Sequence, residues 1–235
     1  MKEKIRQIIK KVRNRIFFTI VHFYDMRICG RSLSEYIPSV FRDDKNGVGS
    51  TGSQSTHYPI LKKIFRDVEI KESDVFLDVG CGMGRVLAFC IKEKYPCSIN
   101  GVEINEVPGK IAEEWSRKYN NVHVTIGDAF QLDYDQHNVL FLGRPFLPKT
   151  FEQFLNLFES QVTHPITFIY WVDQQSGYLL NGRKGWTRKT KGIIDKMYGL
   201  KVHDTPQGYS IWEYEPQNET EKKIYVREKH ERVTM

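Results

Sequence analysis

An acid closing an apolar run, three alternating glycines and a second acid further on are the residues of this chain with the clearest chemical use. They stand in Asp74-Val75-Phe76-Leu77-Asp78-Val79-Gly80-Cys81-Gly82-Met83-Gly84-Arg85-Val86-Leu87 and in Gly101-Val102-Glu103-Ile104. Glycine lets a backbone turn tightly and lets a ligand approach where a Cβ would otherwise stand. A helix starting just behind such a turn presents free N–H groups. The first stretch therefore predicts a small-molecule site at the carboxyl end of a parallel strand, where open α/β sheets bind ligands. Glu103 falls 23 positions after Gly80, near the ~20 expected of an acid that accepts hydrogen bonds from ribose hydroxyls. A carboxylate accepts from both hydroxyls at once.

The glycine spacing narrows the ligand. A dinucleotide fingerprint, G-x-G-x-x-G, needs Gly or Ala at the position held here by Arg85, and the third glycine comes one residue early, at Gly84. The order acid-x-Gly-x-Gly-x-Gly resembles motif I of the class I S-adenosylmethionine-dependent methyltransferases, whose loop passes under the methionine part of the cofactor. Thr56-His57-Tyr58-Pro59, Val75-Phe76-Leu77-Asp78 and Gly101-Val102-Glu103 tighten the resemblance over roughly residues 54–172. It extends to small bacterial methyltransferases of unassigned substrate and to the core of the seven-strand histone-lysine methyltransferases. The resemblance implies S-adenosylmethionine as cofactor. It implies that Asp78, Gly80, Cys81, Gly82 and Gly84 surround the methionine end, that Glu103 holds the ribose and that Ile104 lies on the adenine. Asp128 and Ala129, in Gly127-Asp128-Ala129-Phe130, fit the place that meets the adenine edge. By the same analogy Tyr58, with Ser55, closes over the cofactor.

Methyl transfer is an in-line displacement, and aligned reactants alone supply ~7–11 kcal/mol of its barrier. In amine-methylating relatives an Asn-Pro-Pro-Tyr or Asn-Pro-Phe segment beside the fourth strand steers the acceptor. Here that strand, Val139-Leu140-Phe141-Leu142, runs into Gly143-Arg144-Pro145-Phe146. Pro145 and Phe146 are kept, but Arg144 replaces the amide. A guanidinium only donates hydrogen bonds and suits a carboxylate or phosphate. Arg144, Phe146 and Tyr58 are thus the expected acceptor-side residues, and the acceptor is expected to be an anionic or glycan-linked small molecule. A protein-lysine methyltransferase and a non-catalytic cofactor-binding scaffold are the competing readings. An NAD oxidoreductase fails at Arg85. His57, His137, His164 and His203 show no carboxylate partner by spacing, and no metal-ligand pattern is present.

Positioning these residues requires alternating strands and helices, hence a doubly wound α/β fold with a mostly parallel sheet. Strands are expected at 75–79, 98–104, 122–126, 139–142 and 166–172, and helices at 84–94 and 107–119. A helix from Ser55 or Thr56 carries Pro59 in its first turn, and another from about 151 has Thr150 and Gln153 at capping-box spacing. A Lys-rich helix at 188–197 ends at Gly199. Strands 201–204 and 209–215 flank Pro206-Gln207-Gly208 and complete seven strands, the last antiparallel.

Three regions are expected: a basic helix and loop at 1–53, the methyltransferase domain at 54–216 and a charged, frayed tail at 217–235. In the first, Ile5, Ile8, Ile9, Val12, Ile16, Ile20 and Tyr24 recur at helical spacing among Lys2, Lys4, Arg6, Lys10, Lys11, Arg13 and Arg15, with Glu3 the sole acid. Such a helix lies in an anionic membrane surface with Phe17, Phe18 and Phe23 as anchors, or it packs on the domain or on a second subunit as a homodimer. Residues 42–56 read as a loop, a candidate lid. A net charge of +6 permits an anionic partner, although no nucleic acid is expected. Four cysteines without C-x-x-C spacing and no visible signal peptide predict reduced thiols in the cytoplasm, peripheral to a membrane if the helix docks there.

Overall fold

The computed structural model describes residues 2–201 and 203–217. Its sheet is built from β1 (Val75–Val79), β2 (Ser98–Glu103), β3 (Val122–Ile126), β4 (Val139–Leu142), β5 (Ile166–Trp171), β6 (Trp186–Ile194) and β7 (Gln207–Tyr214). The helices are α1 (Lys2–Cys29), α2 (Tyr58–Ile64), α3 (Arg85–Glu93), α4 (Glu106–Ser116) and α5 (Pro148–Gln161). The strand order is β3-β2-β1-β4-β5-β7-β6. β1 to β5 are mutually parallel, and β7 inserts antiparallel between β5 and β6. The mostly parallel seven-strand sheet with an antiparallel last strand is as the sequence predicts.

The central strands β1, β4 and β5 are apolar except for Asp78 in β1 and Thr167 in β5, because helices cover both faces. On one face Phe76, Ile99, Phe141 and Ile169 meet α1 to α4, and on the other Leu77, Leu140, Phe168 and Tyr170 meet α5. Phe151 of α5 stacks on Tyr170 at 4.7 Å between ring centroids. The four cysteines are free and buried.

Four local expectations are corrected. Residues 188–197 form no helix. Thr187, Thr190 and Gly192 are poor helix formers, and the lysines lie on β6, an edge strand, where charge discourages further pairing. Lys189 pairs across the ladder with Glu213 at 2.7 Å. Gly199 ends no helix either: with Tyr198 it makes a turn with both φ positive (53° and 76°) between the short strands 196–197 and 200–201. That geometry is the one favoured in two-residue hairpins. Accordingly the closing strand pair is joined by residues 195–206, and Gln207 and Gly208 belong to β7 rather than to a turn. Finally, α5 opens at Pro148 behind Leu147, so Thr150 is inside the helix and its Oγ1 accepts from Gly49 N at 2.7 Å. His57, not Ser55 or Thr56, precedes α2, and its side chain makes no cap. The expected tail at 217–235 falls, but for Gln217, outside the described residues.

One buried ion pair fastens α1 to the sheet. Asp25, fully buried in the inner face of α1, meets Arg85 at the start of α3, with Nη2 2.7 Å from Oδ2 and Nε 3.1 Å from Oδ1. Asp25 also accepts from Leu33 N and from the Tyr58 hydroxyl, both at 2.9 Å. Arg85 in turn donates to Ser34 Oγ at 2.8 Å and to the Ser55 carbonyl at 3.1 Å. Removing one member of such a pair strands the other charge. Asp25→Ala is expected to lower unfolding stability by about 3–5 kcal/mol in urea titration, and the double variant Asp25→Leu/Arg85→Met by much less. A loss in Asp25→Ala no larger than the ~1 kcal/mol of an exposed pair would contradict this assignment.

Candidate functional site

β1 and β2 end side by side, and the site grows from that pair of ends. After Val79 the chain turns through Gly80, Gly82 and Gly84 at φ of 74°, 55° and 86°, values that favour glycine. A Cβ at Gly80 would stand 2.5 Å from Pro145 Cβ, one at Gly82 would strike Ser53 Oγ, and one at Gly84 would stand 2.8 Å from Trp115 Cζ2. The turn is tied to β2: Gly80 N and Cys81 N both donate to the Val102 carbonyl, at 2.9 and 3.0 Å. Glu103 completes the tie, its Oε2 accepting from Gly82 N at 2.8 Å and its Oε1 from Asn105 N at 2.9 Å. The same carboxylate thus shapes the glycine loop and caps the turn into α4.

A cavity of ≈ 320 Å³ opens over this turn, within the ~300–1,000 Å³ of small-molecule clefts. Asp78, Gly80, Cys81, Gly82, Glu103, Ile104, Asp128, Ala129 and Phe146 all line it. At the β3 end, Asp128 accepts from Phe130 N at 3.0 Å, and Ala129, Phe130 and the exposed Ile104 line the cavity. Phe146, after β4, packs edge-on to Phe130 at 5.8 Å.

Asp78 is the electrostatic anomaly. It is buried, and its Oδ2 has no hydrogen-bond partner. Burial, and secondly the carboxylate of Glu103, raise its pKa well above the ordinary carboxylate value. Burial raises Glu103 as well, opposed by the N–H groups of Asn105 and Gly82 that it accepts from. Two neighbouring carboxylates, one lacking a donor, make a wall suited to a cation or to paired donors.

Three expected site residues lie elsewhere. Tyr58 does not close over the cavity; it is buried behind it, its hydroxyl spent on Asp25 and the Arg85 guanidinium 5.9 Å from its ring centroid. Burial first, then the Asp25 charge, raise its pKa. Gly84 turns the chain but does not reach the cavity, because Trp115 and Ala112 of α4 pack where its Cβ would be. Arg144, at φ 54°, is not among the lining residues. Its carbonyl accepts from Thr51 Oγ1 at 2.7 Å, and its half-buried guanidinium has Tyr170, Arg42 and Tyr36 as ionisable neighbours.

The segment before α2, whose residues 42–56 the sequence marks as a loop and candidate lid, supplies a whole wall. Pro38 to Phe41 and Val48 to Thr56 line the cavity, as do Thr150 and Gln153. Residues 42–43 and 48–49 form a small hairpin, strapped to the β4–α5 connection by Thr51 N to the Pro145 carbonyl and Leu147 N to the Gly49 carbonyl, each 2.9 Å. Ser55, the other expected closing residue, does line the cavity. The Gly-rich composition marked the segment as a loop, but its partners are about a hundred residues away and leave no local signal.

Comparisons with known proteins agree with this architecture. A family model, Histone methylation protein DOT1, matches residues 50–140. Ribosomal RNA small subunit methyltransferase A of Natranaerobius thermophilus is 31% identical over 80 residues, which cover 33% of this chain and 25% of that protein. The match thus spans about a quarter of the curated relative's length. Among solved structures, an RNA methyltransferase from Salinibacter ruber in complex with S-adenosyl-L-homocysteine superposes with a TM-score of 0.51 at 18% identity, covering 70% of this chain and 95% of that one. The B. subtilis m1A22 tRNA methyltransferase TrmK gives 0.51 at 13% identity, covering 66% and 65%.

The raised Asp78 pKa has a consequence for stability. A carboxyl whose pKa is higher folded than unfolded stabilises the protein below its unfolded pKa and loses that contribution as pH rises through its folded pKa. Asp78→Asn lacks this titration. Its melting temperature relative to wild type is therefore expected to climb as pH is raised from the acid side, and a pH-independent difference would refute the assignment. Strand order, glycine turn and matched segment together give this chain the fold of the class I, seven-strand methyltransferases.

Proposed function

We propose that the protein transfers a methyl group from S-adenosylmethionine to a small acceptor carrying an anionic group. The observation that carries the reading is the pairing of Asp78 and Glu103 over the glycine turn, one carboxylate unpartnered and the other with acceptor capacity to spare. S-adenosylmethionine fits these residues: it brings an ammonium and a sulfonium for Asp78 and two ribose hydroxyls for Glu103. The glycine turn leaves backbone room for its methionine end, and Ile104, Asp128 and Ala129 form a slot of mixed apolar and acceptor character for its base. When bound, the cofactor supplies a methyl carbon already activated by positive sulfur.

The protein's own part is alignment and exclusion of water. The strap from Pro38 to Thr56 roofs the cavity, and Pro145 and Phe146 wall the end beside β4, where the acceptor would enter. Arg144 supports an anionic acceptor. Its guanidinium forms no hydrogen bond or ion pair among the described residues, and Arg42 is a second cation nearby. Burial, ahead of its ionisable neighbours, lowers its pKa, so a partner anion would be favoured there.

Titration calorimetry with S-adenosylmethionine, S-adenosylhomocysteine and NAD tests the cofactor. The first two are expected to bind and NAD is not. Glu103→Gln and Asp78→Asn are each expected to weaken binding by about 10- to 100-fold, the ~1.5–3 kcal/mol of a hydrogen bond to a charged group. Wild type should also release a proton on binding at acid pH, as Asp78 ionises against the cation, and Asp78→Asn should not. Tight NAD binding, or unchanged affinity in both variants, would overturn the reading. Once turnover is found in fractionated extract, Arg144→Asn should raise KM for the acceptor and leave cofactor affinity alone; an unaltered KM removes the anionic acceptor. Cofactor binding with no turnover in any fraction would favour a scaffold.

A further inference from the structure

The two long faces of α1 are unlike. Phe17, Val21 and Ile28 enter the core and Asp25 meets Arg85, while Tyr24 is half-buried beside them. The other face has no such cover. Ile5, Ile8, Ile9, Val12, Ile16, Ile20, Phe23 and Met26 are each 44% to 60% exposed. At about 100° per residue, these eight fall within an arc of about 120° that runs the length of the helix and points away from the packed face. Tyr24, expected on the apolar stripe, and Phe17, expected as a membrane anchor, belong instead to the packed side. So many large aliphatic side chains in one continuous exposed strip are unusual for a free surface.

Charge decides what covers the strip. Exposed Lys4, Lys11 and Arg15 line one flank and exposed Arg13 the other. Across residues 1–24 the sequence has Glu3 as its only acid. A second copy of this chain is a poor occupant, because a two-fold interface sets a patch against itself and would bring these cations together. A crossing of the bilayer is also ruled out for this helix: no described helix is long and apolar enough to cross a membrane. A wide apolar arc between basic flanks is the pattern of a helix lying in the plane of an anionic lipid surface, its aliphatic side chains at the acyl boundary and its cations among the headgroups.

We infer that α1 docks the protein on anionic membranes through the strip from Ile5 to Met26, with the catalytic domain held off the lipid by the opposite face. The full chain is tested by co-sedimentation with vesicles of phosphatidylcholine alone and of phosphatidylcholine mixed with phosphatidylglycerol. Binding is expected to the mixed vesicles only and to fall steeply with added salt. Ile8→Glu/Val12→Glu and Lys11→Glu/Arg15→Glu, all at exposed positions, should each lower partitioning at least about tenfold while the circular dichroism spectrum and S-adenosylmethionine affinity stay as in wild type. Equal binding to both vesicle types, no binding to either, or partitioning unchanged in both variants would overturn the inference. So would light scattering that shows a dimer abolished by Ile8→Glu/Val12→Glu, which would assign the strip to a second copy. A variant that loses helix content is replaced by Ile9→Gln/Ile16→Gln, read in the same way.

Discussion

The Asp25–Arg85 pair is the contact through which the rest of the site is assembled. Four donors converge on one buried carboxylate, from the backbone after α1, from α2 and twice from α3. Arg85 passes the constraint on by holding the Ser55 carbonyl, so the strap that roofs the cavity and the helix that follows the glycine turn share one anchor. A buried pair of this kind contributes little net energy against an apolar replacement, but half of it is costly. Its effect is therefore on placement more than on stability. Arg85 also occupies the position where a dinucleotide fold needs a small residue. The side chain that excludes the pyrophosphate reading is the one that fixes the loop.

Above that anchor the site is left electrostatically incomplete. Glu103 satisfies two loop N–H groups and keeps its remaining lone pairs, whereas Asp78 is buried without a donor. Unpartnered buried carboxyls are disfavoured, and the protein tolerates this one where two strand ends and a glycine turn leave room for a ligand. The raised pKa of Asp78 is the cost of that arrangement expressed as proton affinity. A cation placed against it reverses both terms together, drawing the proton off and removing the burial penalty on the charged form.

What the sequence made legible followed from periodicity and from local turn chemistry. The parallel strands are short, largely apolar or alternating segments bounded by glycine, proline and acids, and the expected bounds coincide with the observed ones at β1, β3 and β4. The acids at strand ends were readable for the same reason. β6 was not, because an edge strand rich in lysine has the composition of a solvated helix, and its pairing with Glu213 is remote in sequence. The strap was legible only as a loop: Gly49 finds Thr150 and Thr51 finds Pro145 across long separations. Tyr58 was misplaced because its neighbour Asp25 lies in a segment with no visible link to the domain.

That segment shows how one helix serves two surfaces. A helix of 28 residues spans ~42 Å, yet among its described side chains those buried in the core begin at Phe17. Isolated helices owe most of their stability in proteins to an apolar face that is covered. The first half of α1 has an apolar face, Ile5, Ile8, Ile9, Val12 and Ile16, that the domain leaves exposed, and a lipid surface, as inferred above, would cover it. Asp25 lies on the inner side of the same rigid element whose outer side carries Ile16, Ile20 and Phe23. Because the pair fixes α1 in both rotation and position relative to α3, a surface bound along the outer side is oriented with respect to the glycine turn without any contact of its own to the site.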